Sequence, residues 1–181
     1  MTMNMYEKTL STKQLFNGRV ISVQIDEVEL PNGKTSTREL VKHPGAVAII
    51  PITQEGKIVM VKQFRKPLEK EVIEIPAGKL EEGELPEITA RRELEEETGY
   101  TSDKLEYIQS FYTSPGFADE ILYLYVTDEL RPLKEKVDLD EDEFVELIEV
   151  TLEEAEQFIK EEKIHDAKTV FAIMYLKLKG M

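Results

Sequence analysis

The 181-residue chain contains no cysteine. Disulfides and thiolate-bound zinc are excluded, and the absence suits a reducing compartment. Long apolar runs are missing as well. The longest, "AVAIIPI" at residues 46–52, falls far short of the ~20 residues that a membrane span requires. The opening stretch "MTMNMYEKTLSTKQ" is polar and carries no apolar signal-peptide segment. A cytoplasmic location without membrane attachment is therefore expected. Positive charge is scarce: 23 Lys and Arg stand against 37 Asp and Glu, a net charge of −14. Such a field opposes an open nucleic-acid groove, which needs cations for phosphate. It still admits a phosphorylated small molecule, provided a divalent cation sits between protein and phosphate.

What is present suffices for a core. Apolar residues make up 41% of the chain, and the length fits one domain with a small appendage at most. The first forty residues read as strands. "RVISVQIDEVELPNGKTSTRELV" places Asn32-Gly33 between two β-rich runs, which predicts a type I′ hairpin turn. Ile21, Val23 and Ile25 alternate in one phase and Val28 and Leu30 in the other, predicting a bulge near Asp26-Glu27. A hairpin this small must pack on something else to be stable. "AVAIIPI" and "KIVMVKQF" read as buried strands joined by a turn near Gly56. "EVIEIPAGKL" reads as a strand that ends at Pro76 and opens into a loop. Further strands are expected at "LEYIQSFYT", "EILYLYV" and "EFVELIEV". Two helices close the chain. Thr151 and Glu154 form a capping box for the first. Asp166 caps the second, whose Ala167, Val170, Phe171, Met174 and Leu178 form one apolar stripe.

Between the strands lies "AGKLEEGELPEITARRELEEETGY", with eight glutamates in 24 residues. Pro86 suits a first helical turn and Gly99 a C-terminal stop, so the helix is expected over residues 86–98. Glu93, Glu96 and Glu97 share one face at i, i+3 and i+4. Arg92 stands four before Glu96 to brace it, and Ala90 and Leu94 turn another side to the core. Like charges at this spacing destabilise a helix and raise one another's pKa values, but they bind hard divalent cations well. A solvated acidic face is the bland alternative on composition alone.

The spacing is more specific than the composition. Gly78, Glu84, Arg92, Glu93, Leu94, Glu96, Glu97, Gly99 and Tyr100 fill every position of G-x5-E-x7-R-E-U-x-E-E-x-G-U, with U apolar. In this the chain resembles the Nudix hydrolases, which cleave a nucleoside diphosphate linked to a second moiety. The resemblance implies an α/β fold, an α/β/α sandwich around a mixed sheet, and magnesium or manganese held at the helix. It makes Ala77 (through its carbonyl), Glu93, Glu96 and Glu97 metal ligands, with Glu96 also counted among the catalytic groups. Arg92 would orient the carboxylates, and Gly78 and Gly99 would serve backbone geometry.

Other stretches resemble the ADP-ribose pyrophosphatase branch. Pro115 stands sixteen residues after Gly99 within "YTSPGFADEILYLY". The branch carries a small antiparallel β-domain ahead of the Nudix fold, here residues 1–43 before 44–181, and forms homodimers through it. The partner then helps bind the adenosine end of the substrate. By the same resemblance Arg38 binds substrate, Arg65 contacts a phosphate, Glu120 contacts a ribose hydroxyl, and Pro115-Gly116 shapes that loop. In "DLDEDEFVEL", Glu141 best matches the catalytic base and Glu143 one more metal ligand, with Asp138, Asp140 and Asp142 interleaved. The expected reaction is ADP-ribose plus water giving AMP and ribose 5-phosphate. Cleavage of another nucleotide sugar or dinucleotide is one alternative. A sensor that binds ADP-ribose without cleaving it is another, but such proteins lose glutamates that are all present here.

Overall fold

The computed structural model describes residues 4–134 and 144–180. Three strands come first: β1 (Lys8–Asn17), β2 (Ser22–Glu29) and β3 (Thr35–Lys42), an antiparallel sheet in that order. The β2–β3 turn is not type I′. Asn32 does not adopt positive φ; only Gly33 does, at 78°. Gly33 N–H donates to the Leu30 carbonyl at 2.8 Å and Leu30 N–H to that of Lys34 at 2.7 Å. Pro31, with φ fixed by its ring, shifts the turn one residue earlier and leaves the left-handed position to Gly33. The bulge is displaced too. β2 and β3 pair without interruption from Ser22↔Lys42 to Glu29↔Thr35. The register slips on β1 instead, between Thr9 and Ser11 and between Gln14 and Phe16. The phase change in β2 has another cause: Asp26 is buried beside Val28, where Thr12 and Gln24 donate to its carboxylate at 2.8 and 2.9 Å.

The next elements are β4 (Ala46–Pro51), β5 (Ile58–Arg65), β6 (Lys70–Glu74), β7 (Ala77–Lys79), α1 (Pro86–Thr98), β8 (Tyr100–Thr101), β9 (Glu106–Tyr112), β10 (Ile121–Thr127), β11 (Arg131–Pro132), β12 (Val145–Val150), α2 (Leu152–Lys160) and α3 (Ala167–Lys179). One sheet runs β7-β4-β10-β9, another β12-β5-β6, and β11 pairs with β8. By contacts the chain divides into two units, residues 1–45 with 111–122, and residues 46–110 with 123–181.

The core of the second unit follows from β4, buried at all six residues. Val47 and Ile49 join Val59, Ala90, Leu94, Leu105, Tyr125 and Leu130 in one cluster. Ala90 and Leu94 bring α1 onto that face. Ala48 and Ile50 alternate to the other, as expected of a strand covered on both sides.

The stretch after Pro76 first forms a strand, and the expected loop begins only at Leu80. β7 pairs with β4 through Ala46↔Lys79, Val47↔Gly78 and Ala48↔Ala77, and the Pro76 carbonyl accepts from Ile49 N–H at 2.9 Å. The chain leaves one sheet at Glu74 and enters another at Ala77. α3 also differs from its expected phase. Thr169, Ala172, Ile173 and Leu176 are buried, while Phe171, Met174 and Leu178 are exposed. A polar residue hides the true inward face: Thr169 Oγ1 accepts the Ile75 N–H at 3.1 Å. The N-caps of both closing helices form as expected, with Thr151 and Glu154 reciprocal and Asp166 accepting from Thr169 N–H.

Candidate active site

α1 starts at Pro86 and ends at Gly99, whose φ of 70° only glycine adopts freely. Its inward stripe is Thr89, Ala90, Glu93, Leu94, Glu97 and Thr98. Two carboxylates therefore sit among core residues, a placement that needs partners. Glu97 accepts the Ala77 N–H at 2.9 Å. Glu93 lies against Gly78: a Cβ on that glycine would fall 1.9 Å from the Glu93 carboxyl carbon. Gly78 is thus required by close approach rather than by backbone geometry, since its φ lies outside the left-handed range.

Arg92 ties the group together. Its Nη1 donates to Glu93 at 2.8 Å and to Glu96 at 2.9 Å, and its Nη2 to Glu84 at 3.3 Å. Glu84 also accepts from Thr89 Oγ1 at 2.8 Å. Burial works against the Arg92 charge, but the Glu84 hydrogen bond and the charges of Glu93 and Glu96 outweigh it and raise its pKa. Glu84 is lowered: its burial acts upward, and hydrogen bonds from Thr89 and Arg92 more than offset it.

The structure thus brings Ala77, Arg92, Glu93, Glu96 and Glu97 together. Their oxygens are hard donors of the kind that hold a divalent cation with water and phosphate. Arg92 engages one oxygen each of Glu93 and Glu96. Among the described residues no three His, Asp or Glu side chains converge enough to enclose an ion unaided.

Arg65 ends β5 in the same unit. Its Nε and Nη2 donate to Glu74 at 2.9 and 2.7 Å, and it also feels the Glu97 charge. Glu74 and Lys168, which donates to Glu74 as well, escaped the sequence reading. Burial pushes the Glu74 carboxyl up, but Arg65 and Lys168 together bring it down to about 2. The only sequence hint was a glutamate within an apolar strand.

Arg38, Pro115, Gly116 and Glu120 belong to the other unit. Arg38 is held by Glu7 through Nε at 2.9 Å and donates from Nη1 to the Thr37 carbonyl at 3.0 Å. Pro115 and Gly116 form a turn in which Phe117 N–H reaches the Ser114 carbonyl at 3.1 Å. That loop is laced to β3, with Val41 N–H on the Phe117 carbonyl at 2.8 Å. Glu120 accepts from Thr113 and faces His43 Nε2 at 3.7 Å. Glu141 and Glu143 lie outside the described residues.

Comparison with known proteins adds independent findings. The NUDIX domain model matches residues 42–172. The model of the nucleoside diphosphate sugar hydrolase N-terminal domain matches residues 7–41. An ADP-ribose pyrophosphatase of Bacillus subtilis (strain 168) is 62% identical over 96% of this chain and 94% of its own. A methanol dehydrogenase activator of Bacillus methanolicus is 63% identical over the same shares. A solved ADP compounds hydrolase superposes with a TM-score of 0.86 over 99% of this chain and 97% of its own, at 21% identity. At that identity the likeness is one of fold. No helix among the described residues is long and apolar enough to cross a membrane.

Proposed function

The chain belongs to the NUDIX domain family, and from that premise we propose that it hydrolyses the pyrophosphate bond of ADP-ribose to AMP and ribose 5-phosphate. The observation that carries this reading is the near-full-length match to the Bacillus subtilis pyrophosphatase. The assembled carboxylates around Arg92 support it. In this reading Glu93, Glu96, Glu97 and the Ala77 carbonyl hold a divalent cation, magnesium with manganese as a substitute. When bound, it neutralises pyrophosphate charge and acidifies water.

The chain's own residues do the rest. Arg92 keeps Glu93 and Glu96 in place. Arg65 turns its remaining edge, Nη1, to a phosphate and stabilises charge there. Arg38 and Glu120 bind the sugar and adenosine portions, with Pro115 and Gly116 shaping the loop. Glu141 accepts the proton of the attacking water, Glu96 assists, and Glu143 adds a ligand. Homodimerisation through the N-terminal sheet fits β1, all ten of whose residues are exposed, Leu10, Leu15 and Phe16 among them. The acidic charge weighs against nucleic acid as a partner.

The test is incubation with ADP-ribose, with and without magnesium, and mass identification of products. AMP and ribose 5-phosphate are expected only with metal. Glu97→Gln is expected to lose turnover by about a hundredfold or more while keeping its circular dichroism. Binding without products would replace the reading with that of a sensor. Other products would move it to another nucleoside diphosphate derivative.

A second reading rests on the relative that activates methanol dehydrogenase. Rates of a methanol dehydrogenase with the wild type and with Glu97→Gln decide it. Acceleration lost in the variant makes activation a consequence of hydrolysis. Acceleration retained makes it a binding function, and none removes this reading.

A further inference from the structure

Beside the carboxylate helix stands a second charged cluster with a different logic. Glu74 ends β6 with its side chain 3% exposed. A carboxylate so buried requires charged partners, and it has two. Arg65 grips it with Nε on one oxygen at 2.9 Å and Nη2 on the other at 2.7 Å. Lys168 Nζ donates to the oxygen that already takes Nη2. Lys168 is itself 13% exposed and also donates to Asp166 at 2.9 Å. Asp166 caps α3. One residue further on, Thr169 accepts the Ile75 N–H at 3.1 Å. The first turn of α3 therefore holds two consecutive residues, Glu74 by its side chain and Ile75 by its backbone. Two residues later the same strand connection reaches Ala77, whose N–H meets Glu97.

A single bidentate carboxylate would fix Arg65 and also cancel most of its charge. With Lys168 on the shared oxygen, Glu74 divides its charge between two cations. Arg65 stays locked by two hydrogen bonds yet keeps positive charge on Nη1, which has no hydrogen-bond partner among the described residues. We propose that Lys168 is a positioning residue for hydrolysis: acting through Glu74, it fixes the Arg65 guanidinium and keeps its free edge charged toward substrate phosphate. This rests on the reading of Arg65 as the phosphate-binding arginine.

The test is a double-mutant cycle in the full-length protein. Lys168→Met is expected to lower kcat/KM for ADP-ribose by about tenfold to a hundredfold, mainly through KM, with Lys168→Arg retaining most of the activity. In the Arg65→Ala background the same substitution is expected to change kcat/KM less than about twofold, because the group it acts through is gone. Equal losses in both backgrounds, or no loss in either, overturn the proposal. A second readout needs no substrate: hydrogen exchange at the Arg65 Nε–H by NMR, expected slow in the wild type and at least tenfold faster in Lys168→Met. Unchanged exchange overturns the proposal whatever the kinetics. If the wild type cleaves no ADP-ribose while exchange responds as expected, the functional reading fails and the positioning of Arg65 by Lys168 stands. Should Lys168→Met fail to fold, Lys168→Gln takes its place in both measurements.

Discussion

At the scale of single residues, Gly78 and Glu74 make the sharpest predictions. Gly78 lacks positive φ, so its backbone tolerates alanine; what does not is the Glu93 carboxylate 1.9 Å from the new methyl. Arg92 restrains that carboxylate, so it cannot simply swing aside. Gly78→Ala is expected to lower stability by about 1–3 kcal/mol and to reduce turnover by about a hundredfold, read by urea unfolding and steady-state kinetics on one preparation. Glu74 bears on pH. Its folded pKa of about 2 lies below the ordinary value of 4.5. Its stabilising contribution is therefore complete above pH 4.5 and lost as pH falls from 4.5 toward 2. Glu74→Gln is expected to be less stable by about 3 kcal/mol at pH 7 and to show a shallower loss of stability across that acid window. Parallel stability curves for variant and wild type would place the acid sensitivity elsewhere. The role of Gly78 was half legible in the sequence: its spacing marked it, but the reason, a carboxylate arriving from fifteen residues away, is a contact.

At the scale of elements, α1 was readable because its ends and its faces are local properties. Pro86 and Gly99 set the limits, and i, i+4 spacing put Arg92 beside Glu96. Its last turn carries no base, although three glutamates lie at the negative end of the helix dipole. A helix that contradicts its own electrostatics points to function. α2 gives a clean energetic test. Thr151 and Glu154 satisfy one another's backbone N–H at 3.2 and 2.8 Å. Thr151→Ala is expected to cost about 1 kcal/mol, measured as a shift in the urea midpoint at constant slope. α3 was misread in phase because Thr169 looks solvent-facing and Phe171 and Met174 look buried. Hydrophobic periodicity cannot see that a threonine hydroxyl will meet the Ile75 N–H of a strand. The type I′ turn failed for a related reason, since Pro31 outweighed the Asn-Gly pair beside it.

At the scale of the molecule, β1 carries the prediction. It is an edge strand ten residues long with Leu15 and Phe16 more than half exposed, a form that proteins usually pair or protect. Homodimerisation through it predicts a mass near twice 20.9 kDa by light scattering, and Leu15→Glu with Phe16→Glu should shift it to the monomer. A wild-type monomer at micromolar concentration would dissociate β1 from any subunit interface. The sequence by itself pointed to the reaction class through the resemblance of its complete signature to that of the Nudix hydrolases, a match readable because helical spacing is written in consecutive residues. It also indicated the order of the main strands and helices, which follows local hydrophobic pattern and caps, but not β1 or the short β7, β8 and β11. Only the tertiary structure decided that Gly78 cradles Glu93, that the chain changes sheets between Glu74 and Ala77, and that Arg65 and Lys168 meet on Glu74. Glu74 and Lys168 stand 94 positions apart. No local pattern joins them; they meet because a buried carboxylate must find cations wherever the packed core brings them within reach.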